Sequence, residues 1–411
     1  MGTDFQNQKK EKFTMDKKIR FGLIGVGAEG GVYAMFLTNK HKHEITDERT
    51  VPCPDHAALG ALCDIDPAKA EMCKAKYPDI PFYTDWKELV LSGNVDAVIT
   101  TVPHYLHHEM AIFCMEHGVH VLVEKPAGVR AKDVIAMNKC AEEHPKVTYG
   151  IMFNQRTHKL WQRLKEIVAS GEMGEIRRSI WINNNWWRPD DYYRQSDWRA
   201  TWGGEGGGIL VNQAPHQLDL WQWICGIPTK VYAQLKYGYH RDINVENDVT
   251  LFTEYENGAT GVYICCTHDA QGTERFEIDL DKGKIVVEDN ENVTIYRLPE
   301  FEQDMNAHMT MAAFTTAGIG AMPKCEIEKF SYKNAWGFQH VEVMEDFALH
   351  ILTGSPLLAP GSEGINGVNL ANASHLSAWT GKQVSLPVDP EEYAAELNKH
   401  IAEEGKFPVR E

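Results

Sequence analysis

Gly25-Val26-Gly27-Ala28-Glu29-Gly30 have the G-x-G-x-x-G spacing, with an apolar run, Ile19 to Ile24, entering and a helical pattern, Val32 to Leu37, leaving. Glycines in that context let the backbone pass close to a pyrophosphate, whose charge then meets a helix N-terminus. Gly25, Gly27, Ala28, Glu29 and Gly30 are therefore candidates for holding a dinucleotide. The next strand, Ala58 to Cys63, should end in an acid for the adenosine ribose, and Asp64 stands there. It arrives later than the usual spacing of about 20 residues, and the polar segment from Asn39 to His56 reads as an insertion that explains the delay. A carboxylate at this place accepts hydrogen bonds from the ribose hydroxyls and repels a 2′-phosphate. The turn Asp64-Ile65-Asp66 carries no Arg or Lys, so NAD is favoured over NADP. Asp66, followed by Pro67, takes the N-cap of the next helix.

The elements that must hold these residues alternate. Val95 to Thr101, Val119 to Val123 and Val147 to Met152 are further strands, each preceded by a helical segment. Strand–helix alternation gives a doubly wound parallel sheet, a Rossmann-type α/β domain over residues 18–150. Glu124-Lys125-Pro126 follows the Val119–Val123 strand, at the carboxyl end where open α/β sheets bind ligands. Beyond Asn154 the pattern changes. A helix from Lys159 to Ala169 is followed by alternating runs at 176–182, 231–239, 248–255, 260–266, 276–280 and 284–287, joined by turns such as Glu256-Asn257-Gly258. Residues 151–390 thus form an α+β domain with a large, mostly antiparallel sheet. Residues 1–17 read as a disordered tail and 391–411 as a helical one.

Composition bounds the partners. A formal charge of −17, from 41 basic and 58 acidic residues, argues against nucleic acid or an anionic membrane. No apolar run reaches the roughly 18 residues of a membrane span. The polar N-terminus has no apolar core of a signal peptide, so a cytoplasmic location is expected. Nine cysteines without zinc-like spacing read as reduced thiols, and one of the adjacent pair Cys265 and Cys266 should face the core. His104, His107 and His108 cluster with only Glu109 nearby, so no metal is expected.

Farther on, Gly206-Gly207-Gly208 leads to Asn212, Pro215, His216 and Asp219. With Thr101-Val102-Pro103 and His107, Glu124-Lys125-Pro126, and Asn154-Gln155-Arg156, this series resembles the Gfo/Idh/MocA oxidoreductases over roughly residues 18 to 390. The resemblance implies NAD held also by Thr101, Pro103, His107, Glu124, Lys125 and Asn154. It implies that Lys125 and His216 stand at the substrate hydroxyl, and that the chain pairs through its large sheet into a homo-oligomer. Oxidising a secondary alcohol sends a hydride to nicotinamide while the hydroxyl proton leaves, and a positioned base contributes about 10²–10⁴-fold. A lysine beside a positive charge and partly desolvated favours the neutral form a base requires, and a histidine can share the proton near neutrality. The family often carries aspartate where this chain has Asn212, and an amide orients a hydroxyl without taking its proton. That leaves the base role to Lys125 and His216 and points away from an inositol dehydrogenase type of site. Asp219 either orients the His216 imidazole or caps local structure.

Seven of the 11 tryptophans fall between Trp181 and Trp223. Flat aromatic faces among Asn, Asp and Arg suit a sugar ring or an aromatic aglycone, and Arg156, Trp187, Tyr193, Trp198 and Asn212 are the candidate substrate contacts. The alternative for these aromatics is core or subunit interface, which is the reading for Trp221 and Trp223. The block from Trp198 to Asp219 is similar to family members that oxidise C3 of a glucosyl unit in glycosides, including C-glycosides of the puerarin type. The expected activity is NAD-dependent oxidation of a glycoside to its 3-keto form. The rival expectations are a free-sugar or polyol dehydrogenase, an NAD-dependent glycosidase, and a non-catalytic NAD-binding regulator.

Overall fold

The computed structural model describes residues 17–38, 51–317, 323–333 and 336–410. Nearly all of the expected N-terminal tail, and residues 39–50 of the expected insertion, lie outside the described residues. The chain divides into two compact units, Met1–Thr157 with Ala335–Val368, and His158–Asn334 with Asn369–Glu411.

The first unit is built on a six-stranded sheet of β1 (Ile19–Ile24), β2 (Ala57–Cys63), β3 (Phe82–Tyr83), β4 (Ala97–Thr100), β5 (His120–Val123) and β6 (Tyr149–Ile151). Its order is β3-β2-β1-β4-β5-β6 and every pairing is parallel. β4 is buried along its whole length, as a strand covered on both faces must be. The order reverses between β1 and β4, and that crevice is where ligands of such sheets bind. Residues 335–368 return to this unit, a chain path that a contiguous division near residue 150 does not contain. The helix Phe338–Thr353 supplies Val341, Val343, Met344, Phe347 and Ala348 to a core shared with Phe21, Leu23 and Ile99. Phe347 lies 6.0 Å from the Phe21 ring, and a Cβ on Gly150 of β6 would stand 2.8 Å from Phe347, so the glycine makes room for that helix.

Among the described residues the second unit holds nine strands: β7 (Ile176–Asn183), β8 (Lys230–Tyr237), β9 (Glu246–Glu254), β10 (Thr260–Cys266), β11 (Glu274–Leu280), β12 (Gly283–Glu288), β13 (Asn292–Arg297), β14 (Glu326–Ser331) and β15 (Val384–Ser385). Their order is β14-β13-β12-β11-β7-β10-β9-β8-β15, antiparallel throughout except for β7 against β10. Burial alternates along β10 and β11, which gives the sheet one covered face. On that face Trp181 stacks on Phe276 at 4.3 Å and Trp221 on Tyr263 at 5.7 Å. Cys265 and Cys266 are both buried, and none of the nine cysteines is in a disulfide. The helix Pro390–Glu404 buries Tyr393, Leu397 and Ile401 in this unit. The fold is therefore α/β, a parallel Rossmann-type sheet together with a large, mostly antiparallel one. Among the described residues no helix is long and apolar enough to cross a membrane.

Candidate functional site

In the first unit the candidate cofactor residues follow the carboxyl ends of neighbouring strands. Gly25 follows β1, Asp64 follows β2, Thr101 follows β4 and Glu124 follows β5. Gly25 has φ +94°, and a Cβ there would come 2.4 Å from the Thr101 carbonyl oxygen. Thr101 pins this turn by donating its hydroxyl to the Gly25 carbonyl at 2.6 Å. A Cβ on Gly30 would lie 2.0 Å from the Gly25 carbonyl, so the helix Ala28–Thr38 packs here only with glycine. Gly27 differs: nothing lies within 4 Å of the place its Cβ would take. That open side is the approach a pyrophosphate requires. The Asp64 carboxylate accepts the Val26 amide at 2.7 Å and the Asp66 amide at 3.0 Å, which fixes it beside the same turn. Asp66 caps the next helix by accepting the Ala68 amide at 2.9 Å.

Around Lys125 the structure assembles groups that local sequence patterns did not bring together. Tyr33, from the helix after the glycine turn, donates its hydroxyl to Glu124, whose other oxygen accepts the Lys125 amide at 3.0 Å. Burial, with the charge of Glu29 added, pushes the Glu124 carboxyl up to about 7. Lys125 is half-buried, and its bond to Pro126 is cis. His340, carried in by the returning helix, lies 2.7 Å from the Asn154 amide nitrogen and 3.5 Å from a Glu29 oxygen. Burial, helped by the positive charge of Lys125, lowers His340 to about 4 and keeps it neutral. Asn154 is itself buried, and its Oδ1 has no hydrogen-bond partner among the described residues. An open glycine side, a ribose-ready carboxylate and an orphaned buried amide oxygen together fit an NAD molecule.

Two candidates of this unit serve its interior. His107 is fully buried, with its ring nitrogens 2.9 Å from the Pro126 carbonyl and 3.0 Å from that of Val102. Burial lowers it to about 4, so the neutral ring donates its single N–H to one of them and ties two loops together. Arg156 is 1% exposed and binds the Leu358 carbonyl at 3.2 Å and Glu363 at 2.5 Å. Pro103 sits at the N-terminus of the short turn His104–Leu106.

In the second unit, His216 is the second residue of the helix Pro215–Cys225, and Asp219 lies one turn on, buried. The glycine run before them wraps around Glu246 of β9, a residue with no signal in its local sequence. Its carboxylate accepts the Gly208 amide at 2.9 Å and the Leu210 amide at 3.1 Å, with His375 at 3.2 Å on its other side. A Cβ on Gly208 would stand 2.0 Å from the Glu246 carbonyl. Asn212 donates its amide to Glu205, the one acid in the longer glycine run Gly203-Gly204-Glu205-Gly206-Gly207-Gly208. Glu205 also accepts the Ala200 amide at 2.6 Å, and burial pushes it up to about 7.

The aromatic stretch divides. Trp187 is 47% exposed, with the Arg241 guanidinium 5.9 Å from its ring. Arg199 lies 4.7 Å from the Tyr192 ring and 4.9 Å from that of Trp198. Tyr193 is buried and donates to the Thr267 hydroxyl at 3.0 Å, while Trp202 is core against His375 and Trp379. Trp221 is core as read, and Trp223 is half-buried. Among the described residues no group of three or more His, Cys, Asp or Glu is placed to hold a metal ion.

Comparison with known proteins accords with this arrangement. Residues 19–152 match the oxidoreductase family with an NAD-binding Rossmann fold, and residues 161–286 match the GFO/IDH/MocA C-terminal domain, together more than half of the chain. A 1-carboxy-3-chloro-3,4-dihydroxycyclohexa-1,5-diene dehydrogenase of Comamonas testosteroni is 33% identical over 162 residues, 39% of this chain and 40% of that protein. The myo-inositol 2-dehydrogenase of Thermotoga maritima is 24% identical over 376 residues, 90% of this chain and 98% of that protein. The WlbA dehydrogenase of Chromobacterium violaceum, solved in complex with NADH and UDP-GlcNAcA, is 27% identical with a TM-score of 0.72, covering 91% of this chain and 97% of that one. With its glycine cradle and Glu-Lys-Pro strand end inside the first matched range and its glycine–Asn–His helix start inside the second, the chain belongs to the GFO/IDH/MocA family of NAD-binding oxidoreductases.

Proposed function

We propose that this chain oxidises a secondary hydroxyl, that of C3, on the glucosyl unit of a glycoside and gives the 3-keto glycoside. NAD, when bound, accepts the hydride from the carbinol carbon. The protein's part is to hold the sugar and remove the hydroxyl proton. Lys125, at the end of β5, is the base, and His216, at its helix N-terminus, shares or relays the proton. Asn212 orients a hydroxyl without titrating. Asn154, Thr101, Pro103, Glu124 and the glycine turn with Asp64 hold the dinucleotide.

The observation that carries the glycoside reading is Trp187, an exposed indole with a guanidinium against its ring. With Trp198 and Arg199 it offers stacking faces beside fixed donors, which suit a sugar carrying an aromatic substituent. Arg156 and Tyr193 each support the fold of their own unit, since their polar ends bind Glu363 and Thr267. That WlbA is solved with UDP-GlcNAcA, a sugar carried on a nucleotide, is consistent with a large group at C1. A second reading, a polyol dehydrogenase, is favoured by the likeness to the Thermotoga maritima enzyme over nearly its whole length.

The test is mass spectrometry of the pure protein with NAD and a panel of glucosides, free sugars and inositols, including a flavonoid C-glucoside. Loss of two hydrogens with the aglycone still attached is the expected result. Oxidation confined to free sugars or inositols selects the second reading. Released aglycone overturns both in favour of glycoside cleavage.

We further propose that two copies pair through the outward face of the large sheet. There Tyr232 of β8 and Phe252 of β9 stand opposite one another in register, 39% and 40% exposed. Light scattering of the wild-type protein should give a dimer or a multiple of it.

A further inference from the structure

Asn212 replaces a titratable residue by an amide, and an amide has two unlike ends. Its oxygen accepts and its nitrogen donates, and a half-turn about the last side-chain bond exchanges them. Which end meets a substrate hydroxyl is therefore set by whatever holds the other end. In this structure the holder is Glu205. Its carboxyl is 1% exposed, takes the Asn212 NH₂ on Oε1 and takes the Ala200 amide on Oε2 at 2.6 Å. An ionised carboxylate only accepts, so it draws the nitrogen of Asn212 inward and turns Oδ1 the other way.

We propose that Glu205 is a positioning residue for Asn212: its carboxylate fixes the amide so that an acceptor, and not a donor, is turned toward the hydroxyl being oxidised. This rests on the reading of Asn212 as a substrate contact. A protonated Glu205 is a donor, and its O–H is satisfied by Asn212 Oδ1 with the amide reversed. The amide then offers its NH₂ to the hydroxyl, the wrong partner for an O–H about to lose its proton.

The surroundings place that change near neutrality. Burial raises Glu205 to about 7, with the charge of Glu246 adding to it, while the Ala200 amide, Arg199 and Asn212 pull the other way. Arg199 lies 3.7 Å from Oε1, the oxygen that also takes the Asn212 NH₂. Behind it Glu246 is partnered by His375 at 3.2 Å, and Glu404 binds the amides of Trp202 and Gly203 just before Glu205. The sign follows. Above about 7 the acceptor is turned outward, and below it the donor is.

The experiment needs no substrate, so its failure is separate from that of the glycoside reading. The full chain is labelled with ¹⁵N-asparagine, and the Asn212 side-chain NH₂ pair is identified as the one missing from Asn212→Leu. Its resonances should move through a single titration near neutrality in the wild type and stay fixed in Glu205→Gln. A signal constant across neutrality in the wild type overturns the proposal, and so does an equal titration in Glu205→Gln. Should that variant fail to fold, the wild-type titration alone decides, together with a protonated-carboxyl infrared band that grows below neutrality and shifts in Asn212→Leu. With a substrate in hand, the acid limb of kcat/KM should lose one proton's steepness in Glu205→Gln, and an unchanged limb counts against the assignment.

Discussion

Tyr33 donates its hydroxyl to the Glu124 carboxylate, so one buried hydrogen bond joins the helix after the glycine turn to the strand end that carries Lys125. The nucleotide cradle and the proposed base are thereby held as one piece. A change that loosens the cradle is felt at Lys125 through that bond.

Gly27 and Gly30 should respond in opposite ways to the same methyl group. Gly30→Ala drives a Cβ to 2.0 Å from the Gly25 carbonyl and should unfold or distort the turn. Gly27→Ala meets nothing within 4 Å, so thermal stability should hold to within roughly 1 kcal/mol. Its NAD affinity should nonetheless drop at least about tenfold, equal to ~1.4 kcal/mol. Calorimetric titration and melting, run on both variants, separate the two effects.

Asp64→Asn keeps an oxygen for the Val26 amide while removing the charge. NAD should bind more weakly and NADP less weakly than before, shifting the preference by about 10-fold or more. An unchanged preference, measured by fluorescence titration with both nucleotides, assigns the ribose to another residue.

Lys125→Met should lower kcat by about 10²–10⁴-fold, with NAD affinity changed far less. His216→Ala should lower kcat by a smaller factor in that range, because a relay is easier for water to replace than the base itself. Pre-steady-state measurement of NADH formation reads the chemical step directly. A variant of Lys125 that keeps its burst rate would remove it from proton transfer.

Trp187→Ala should leave the fold within about 0.5 kcal/mol of wild type, since the side chain is 47% exposed. KM for aromatic glycosides should rise about 10-fold or more, while that for a small alkyl glucoside changes little. Equal effects on both would place Trp187 outside the aglycone contact.

Buried histidines give a signed pH dependence of stability. Burial lowers His107 and His340 from an ordinary 6.5 to about 4. A neutral imidazole of this kind supports the fold fully above 6.5 and loses that contribution as pH falls toward 4. Glu124, raised to about 7, runs the other way: its contribution is whole below 4.5 and is lost as pH rises through 7. His340→Gln should therefore lose less stability than the wild type between these limits, by about 1.4 kcal/mol for each pH unit. Urea unfolding at a series of pH values measures the difference, and parallel curves would show that His340 does not titrate with folding.

The sequence made the nucleotide cradle legible because its signals are local. Glycine spacing, an acid after β2 and a Glu-Lys-Pro after β5 each lie within a few residues of the strand that positions them. β3 escaped notice because two residues carry no periodicity, β13 because its buried alternation rests on Val293 and Ile295 alone, and β14 because it is a largely exposed edge strand. Glu246, His340 and His375 were illegible for another reason. Each is polar and buried only because a distant segment supplies its partner: the glycine run for Glu246, Asn154 for His340, and Glu246 in turn for His375. Glu205 did have a signal, a single acid inside a glycine run, but its meaning needed the bond to Asn212.

The return of residues 335–368 to the first unit sets an order of events during synthesis. Phe347 and its neighbours complete a core whose first strand is made at residue 19, so the nucleotide-binding half stays unfinished until most of the second half's strands have been translated. No single cut in the chain releases either unit whole. A truncated messenger or a nascent chain halted near residue 330 would leave Phe21 and Leu23 without the helix that covers them, a hydrophobic surface open to chaperones and proteases.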